Sequence, residues 1–237
     1  MDTINEKSRG FRLAAEIAKW CVGAESILGL SPTQVYCFWK SHDALDTSDI
    51  QLTFTPASYR EGMQGQLELE PGMTSAPWQQ RPESRGYVRI RQNDPFTQPE
   101  IQPNYLSEET DRRVLVAAMR LARDILKSKP LEPYYDYEDF PGPGAQTDDE
   151  LLAAAKERGT TTFHPMGTCR MGPASDPTAV VDDALRVRGL EGLRVVDASI
   201  MPMMLSANLN AGVMMIADKA SDLIRRRTPP QPIILKR

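Results

Sequence analysis

A chain of 237 residues with 41% hydrophobic and 25% charged side chains can bury a sizeable core in one or two domains. A net charge of -4 argues against the clustered basic face of a nucleic-acid binder, and no apolar run is long enough to span a bilayer. Cys21, Cys37 and Cys169 are widely spaced, with no CxxC or other metal-ligand spacing, which points to a reducing cytoplasmic setting and to no metal.

In chain order, residues 8–23 carry Phe11, Ala14, Ala15, Ala18 and Val22 at the spacing of an amphipathic helix. Strand formers fill 33–40, and Ile50, Leu52 and Phe54 alternate with polar residues as in a half-buried strand. Leu67 with Leu69, and Val88 with Ile90, alternate likewise, so these runs predict one antiparallel sheet. Many of the nineteen prolines fall between 56 and 103 and between 130 and 143, marking loops and strand edges. A long helix is predicted over 108–127, with Leu115, Met119, Ala122 and Leu126 as its buried stripe and Pro130 as its stop. A shorter one follows over 148–158, with Thr147 as N-cap.

The last third reads as short strand-like runs at 179–181, 185–188 and 193–196, then a helix over 211–227. Val213, Ile216, Ala217, Ala220, Leu223 and Ile224 form its inner side, and Arg225, Arg226 and Arg227 complement the dipole in its last turn. Met201, Met203, Met204, Met214 and Met215 suit a soft packing wall. Residues 228–237, rich in proline, read as a frayed tail.

The chemistry concentrates in Thr-Thr-Phe-His-Pro-Met-Gly-Thr-Cys-Arg-Met-Gly, residues 161–172, and in 193–211. Removing a hydride from a carbinol carbon is easier once the hydroxyl proton is leaving. An imidazole, with a pKa of about 6.5, suits that task. His164 is the candidate base; the other reading is a core histidine bonded to backbone. His42 sits in a polar loop and has only the structural reading. The Asn208 carboxamide can hold an oxygen on which charge develops, or Asn208 or Asn210 can cap the following helix. The free N–H groups at that helix start favour an anion. Cys169 as a nucleophile has no base of its own besides His164.

These stretches together resemble the C-terminal region of the glucose-methanol-choline (GMC) oxidoreductases. Ser84-Arg85-Gly86, Asp94-Pro95 and Pro103-Asn104-Tyr105-Leu106 resemble that family's substrate-domain sheet. The resemblance implies FAD, an alcohol oxidised to an aldehyde or ketone, and a histidine paired with histidine or asparagine, matching His164 and Asn208. It also implies FAD contacts at Asp197 and Ala198, near the ribityl and phosphates, and at Asn210 and Ala211, near the flavin ring. The GxGxxG turn that holds the FAD pyrophosphate in the family does not occur in this sequence.

The expected architecture is therefore α+β. An antiparallel sheet backed by helices, within 1–160, is the substrate-binding domain. A strand-helix segment, 161–227, supplies the active site and would complete an FAD-binding domain, its strand 193–196 lacking neighbours. The expected partners are a small-molecule alcohol and, in an alternative reading as a truncated or split-gene subunit, a separate flavin-binding half.

Overall fold

The computed structural model describes residues 2–31, 33–61, 65–206 and 208–228. The tail expected over 228–237 lies, beyond Thr228, outside these described residues. The helices are α1 (Ile4–Lys7), α2 (Gly10–Cys21), α3 (Glu109–Leu126), α4 (Asp148–Arg158) and α5 (Asn210–Arg225). The strands are β1 (Val35–Trp39), β2 (Ile50–Thr55), β3 (Thr74–Gln79), β4 (Tyr87–Arg89) and β5 (Glu100–Gln102). The chain divides into two units, one of residues 1–84 and 106–160, the other of 85–105 and 161–237. The hairpin β4–β5 thus goes with the C-terminal third.

In the first unit an antiparallel sheet runs β1-β2-β3, with Trp39 opposite Ile50 and Leu52 opposite Pro77. The expected single sheet is in fact two, since among the described residues β4 and β5 pair only with each other. Strand β3 was hidden in the sequence by Pro77, which removes a ladder donor and fits only an edge, where β3 lies. The run at Leu67 forms an isolated bridge to Tyr59. Strand β2, between two neighbours, is buried through Ile50, Gln51 and Leu52 rather than half-buried.

Helix α3 backs this sheet, Val114, Ala118 and Ala122 packing with Ile50 and Leu52. Its opposite shoulder, Val116 with Met119, packs on Leu151 of α4 and on Ala145. The expected stripe of Leu115, Met119, Ala122 and Leu126 is therefore rotated; of the four only Ala122 is buried, because the helix serves two neighbours. Helix α4 begins with a capping box, Thr147 Oγ1 accepting from Glu150 N–H while the Glu150 carboxylate accepts from Thr147 N–H.

Buried polar groups pin the proline-rich connections. The Asp111 carboxylate, 3% exposed, accepts from the N–H groups of Glu83 and Ser84 at 2.8 Å each and from the Ser84 hydroxyl. Arg123 donates to Glu138 and to the carbonyls of Gly142 and Ala145, folding the Pro-Gly loop onto α3. Asn5, fully buried, clasps Ser58 through both its carboxamide oxygen and nitrogen.

Helix α2 departs from expectation. Its apolar side is open, with Phe11 96% and Val22 79% exposed, and its one buried residue is Glu16. The Glu16 carboxylate accepts from Lys19 Nζ at 2.6 Å and from the Ile27 N–H at 2.9 Å, tying α2 to the short 3₁₀ turn Ile27–Gly29. Those bonds, the lysine's foremost, hold its carboxyl at about 2 against an ordinary 4.5. A carboxyl held below its unfolded value stabilises the fold fully above about pH 4.5 and progressively less as pH falls toward 2. Glu16→Gln should therefore be less stable than the parent at pH 6, the gap closing toward pH 2. Urea denaturation followed by circular dichroism at both pH values checks this; a gap of equal size at both would contradict it.

Candidate functional site in the C-terminal unit

The core of the second unit consists of Val181, Leu185, Ile200, Met201, Leu209, Ile216 and Ala220. Around it pack Met166 and Met171 from the histidine segment, Val195 and Val196 from the run before Asp197, and Val213 from α5. One apolar cluster thus gathers the three stretches singled out in the sequence.

The histidine segment is laid along the 3₁₀ turn Ala198–Ile200 by three backbone bonds. The N–H groups of Gly167, Cys169 and Met171 donate to the carbonyls of Ala198, Ser199 and Ile200 at 3.4, 2.9 and 2.7 Å. Gly167 makes the approach feasible, since its φ of +85° suits glycine and a Cβ there would lie 3.4 Å from the Met201 carbonyl oxygen. Further along, Met171 bridges Val181, and Arg170 forms an ion pair with Asp176 at 2.9 Å.

The run 193–196 is not an isolated strand. Val187 N–H donates to Leu193 and Val195 N–H to Leu185, at 3.0 and 3.1 Å, so it pairs with 185–187. The expectation that it lacks neighbours is corrected: Asp182 accepts from the Ala184 and Arg186 N–H groups and folds 182–186 into a tight return that supplies the partner.

His164 is half-buried, and among the described residues its imidazole has no hydrogen-bond partner. The residue before it, Phe163, is 62% exposed with φ +58°, a left-handed conformation that costs a non-glycine residue roughly 1–2 kcal/mol. Thr161 Oγ1 accepts from the Phe163 N–H at 3.2 Å and closes this turn. Neither feature was anticipated from sequence; the signal available was a threonine two positions before a bulky residue.

Asn208 is exposed and immediately precedes buried Leu209. Neither Asn208 nor Asn210 caps α5, contrary to the capping alternative. Leu209 occupies the cap position with helical backbone and no side-chain bond, because its side chain is anchored in the core. Asn210 and Ala211 form the exposed first turn, and Asn210 Nδ2 lies 3.8 Å from Met214 Sδ. The opening N–H groups of α5 therefore keep their capacity for a ligand or solvent. Gly212 lets the 201–205 loop approach, since a Cβ there would lie 2.6 Å from Leu205 Cδ1. At the other end Arg226 is the left-handed C-cap, so only Arg225 lies in the last helical turn.

Asp197 is exposed and spends one carboxylate oxygen on the N–H and hydroxyl of Ser199, capping the 3₁₀ turn. Ala198 is half-buried in the core's margin. Of the methionine wall, Met201 and Met204 pack inward, while Met203, Met214 and Met215 are more than 60% exposed. On α5 only Ile216 and Ala220 are fully buried, and Ile224 is exposed, so the inner stripe is narrower than expected. The three cysteines are unbonded.

One core thus carries the histidine segment, the Asp-Ala-Ser turn and the helix start of a mixed α+β chain. The GMC oxidoreductase family matches residues 82–217. The oxygen-dependent choline dehydrogenase of Staphylococcus xylosus is 39% identical over 216 residues, 90% of this chain and 38% of that protein. Among solved structures, pyridoxine 4-oxidase from Mesorbium loti superposes with a TM-score of 0.75 at 28% identity, over 84% of this chain and 39% of that one. An FAD-dependent oxidoreductase from Chaetomium thermophilum superposes with a TM-score of 0.62 at 25% identity, over 76% of this chain and 28% of that one. The chain belongs to the GMC oxidoreductases, and it spans about two-fifths of the length of the curated relatives it matches. No helix among the described residues is long and apolar enough to cross a membrane.

The core that unites the site sets its rigidity. Ile200, 1% exposed, offers its carbonyl to Met171 and its side chain to the cluster. Ile200→Ala should cost about 2–5 kcal/mol in urea denaturation of the folded chain. A loss under about 1 kcal/mol would show that the cluster does not hold the segment.

Proposed function

We propose that this chain is the catalytic C-terminal portion of an FAD-dependent alcohol oxidoreductase. His164 accepts the proton of a primary or secondary alcohol's hydroxyl, and the Asn208 carboxamide donates to the same oxygen as negative charge grows on it. An imidazole with no hydrogen-bond partner among the described residues retains a lone pair for that proton. The observation carrying this reading is the ladder from 167–171 to 198–200, which ties the histidine segment to the Asp197 turn in the core that also anchors Leu209 beside Asn208.

The residues present fit the ring end of FAD. The uncapped start of α5 at Asn210 and Ala211 would offer N–H groups to an anionic ring edge, and Asp197 and Ala198 would meet the ribityl and phosphate region. The pyrophosphate's usual GxGxxG turn does not occur in this sequence. Bound FAD would supply the hydride acceptor. The S. xylosus choline dehydrogenase and the M. loti pyridoxine 4-oxidase, by their names, agree with an alcohol as substrate class.

In the flavin-loaded enzyme His164→Ala should lower turnover by ~10²–10⁴, and Asn208→Ala by ~10²–10³, with flavin absorbance retained. Turnover of a donor alcohol with a dye acceptor measures both; parent-like rates for His164→Ala would remove the assignment.

A second reading is a subunit inactive alone that pairs with a separate flavin-binding half. Exposed Phe11 and Trp20 on α2, Val22 at its C-cap, and Tyr36, Phe38 and Trp39 on β1 favour it, since large apolar side chains left open to solvent suit association. FAD titrated onto the purified chain should bind weakly or not at all; stoichiometric yellow flavin on the chain alone would refute this reading.

A further inference from the structure

We infer that Thr161 is a positioning residue for His164, acting through the left-handed turn at Phe163. The inference rests on the reading of His164 as the base and extends it to what aims the imidazole.

The geometry is local. Phe163 is a bulky residue at φ +58°, a conformation such residues adopt only when the surroundings impose it. Its N–H is fixed by the Thr161 hydroxyl at 3.2 Å, the bond by which threonine stabilises a turn over two residues. Its ring is 62% exposed, so burial of the ring does not hold the conformation. Downstream, Pro165 restricts His164 to extended backbone, and Gly167 is clamped to Ala198. The imidazole has no bond of its own among the described residues. Its direction is thus inherited from the backbone on both sides, and upstream, among the described residues, the side-chain bond that sets this backbone is Thr161 to Phe163. A free imidazole aimed by its backbone keeps both nitrogens for substrate, which an imidazole oriented by its own hydrogen bond does not.

The chain has two histidines, so long-range proton–nitrogen spectra of the labelled chain contain two imidazoles, His42 and His164. Thr161→Val should shift or broaden the His164 signals and leave those of His42 and of the Ile200 and Val181 methyls in place. Thr161→Ser should restore the parent spectrum, because the hydroxyl returns. Phe163→Gly, free at this φ, should keep the His164 signals close to the parent's, whereas β-branched Phe163→Val should displace them. His164 signals unchanged in Thr161→Val, or not restored in Thr161→Ser, overturn the inference. In the flavin-loaded enzyme Thr161→Val should lower kcat about tenfold or more, with KM and flavin content little changed. If instead His164→Ala keeps parent-like turnover, the base reading fails while the imidazole spectra still decide the positioning claim.

Discussion

The bond pattern between 167–171 and 198–200 is the constraint on which the C-terminal unit depends. Gly167, Cys169 and Met171, spaced by two, all turn their N–H groups toward one neighbour, the left-handed Gly167 included. The 3₁₀ turn answers with three successive carbonyls, those of Ala198, Ser199 and Ile200, of which Ala198 also accepts from the Met201 N–H inside the turn. The N–H groups of one segment and the carbonyls of the other satisfy each other. Each bond is worth only about 1 kcal/mol net. Three of them, with Ile200 buried beneath, suffice to fix the register of a segment that is otherwise turn and loop. His164 lies upstream of the first of these bonds and takes its place from them.

The first unit is held by a different device. Its proline-rich stretches cannot supply ladder donors at every position, so buried carboxylates, a carboxamide and a guanidinium take over. Asp111 reaches back to Glu83 and Ser84, Asn5 reaches forward to Ser58 and Glu68, and Arg123 gathers Glu138, Gly142 and Ala145. Each is a long-range tie from a regular helix to an irregular segment. A helix is rigid enough to carry a polar group to a loop, and the loop's unpaired N–H or C=O groups make the burial affordable.

These ties explain what could be read from the sequence. Helix α4 was legible to the residue because its signals are local: Thr147, Glu150 and a run of helix formers. Helix α3 was placed within a residue or two, but its buried face was not, since a helix serving both β2 and α4 has no single stripe. Strand β3 was missed because Pro77 speaks against any strand except an edge, and edge status is a property of the sheet. Helix α2 shows an apolar period that the described residues leave open; periodicity reports which face is oily, not what covers it. The start of α5 was misread for a related reason. Asparagine favours a cap in isolation, but Leu209 is drawn into the core and takes the cap position with it.

The candidate site residues stand out in the sequence as residue types, and their surroundings bear on the choice between structural and chemical roles. A side chain serving the fold uses its hydrogen-bonding groups on the fold, as Asp197 does on Ser199, Asp182 on the 184–186 turn and Thr147 on α4. His164 and Asn208 differ: among the described residues neither side chain has a hydrogen-bond partner, and the opening N–H groups of α5 have no side-chain cap. A core histidine satisfied by backbone would carry such a bond, because burying an imidazole without one is unfavourable. The half-buried imidazole beside a strained turn fits a group whose partner is a ligand better than it fits one whose partner is the protein. Unspent hydrogen-bonding capacity of this kind suits a small polar ligand.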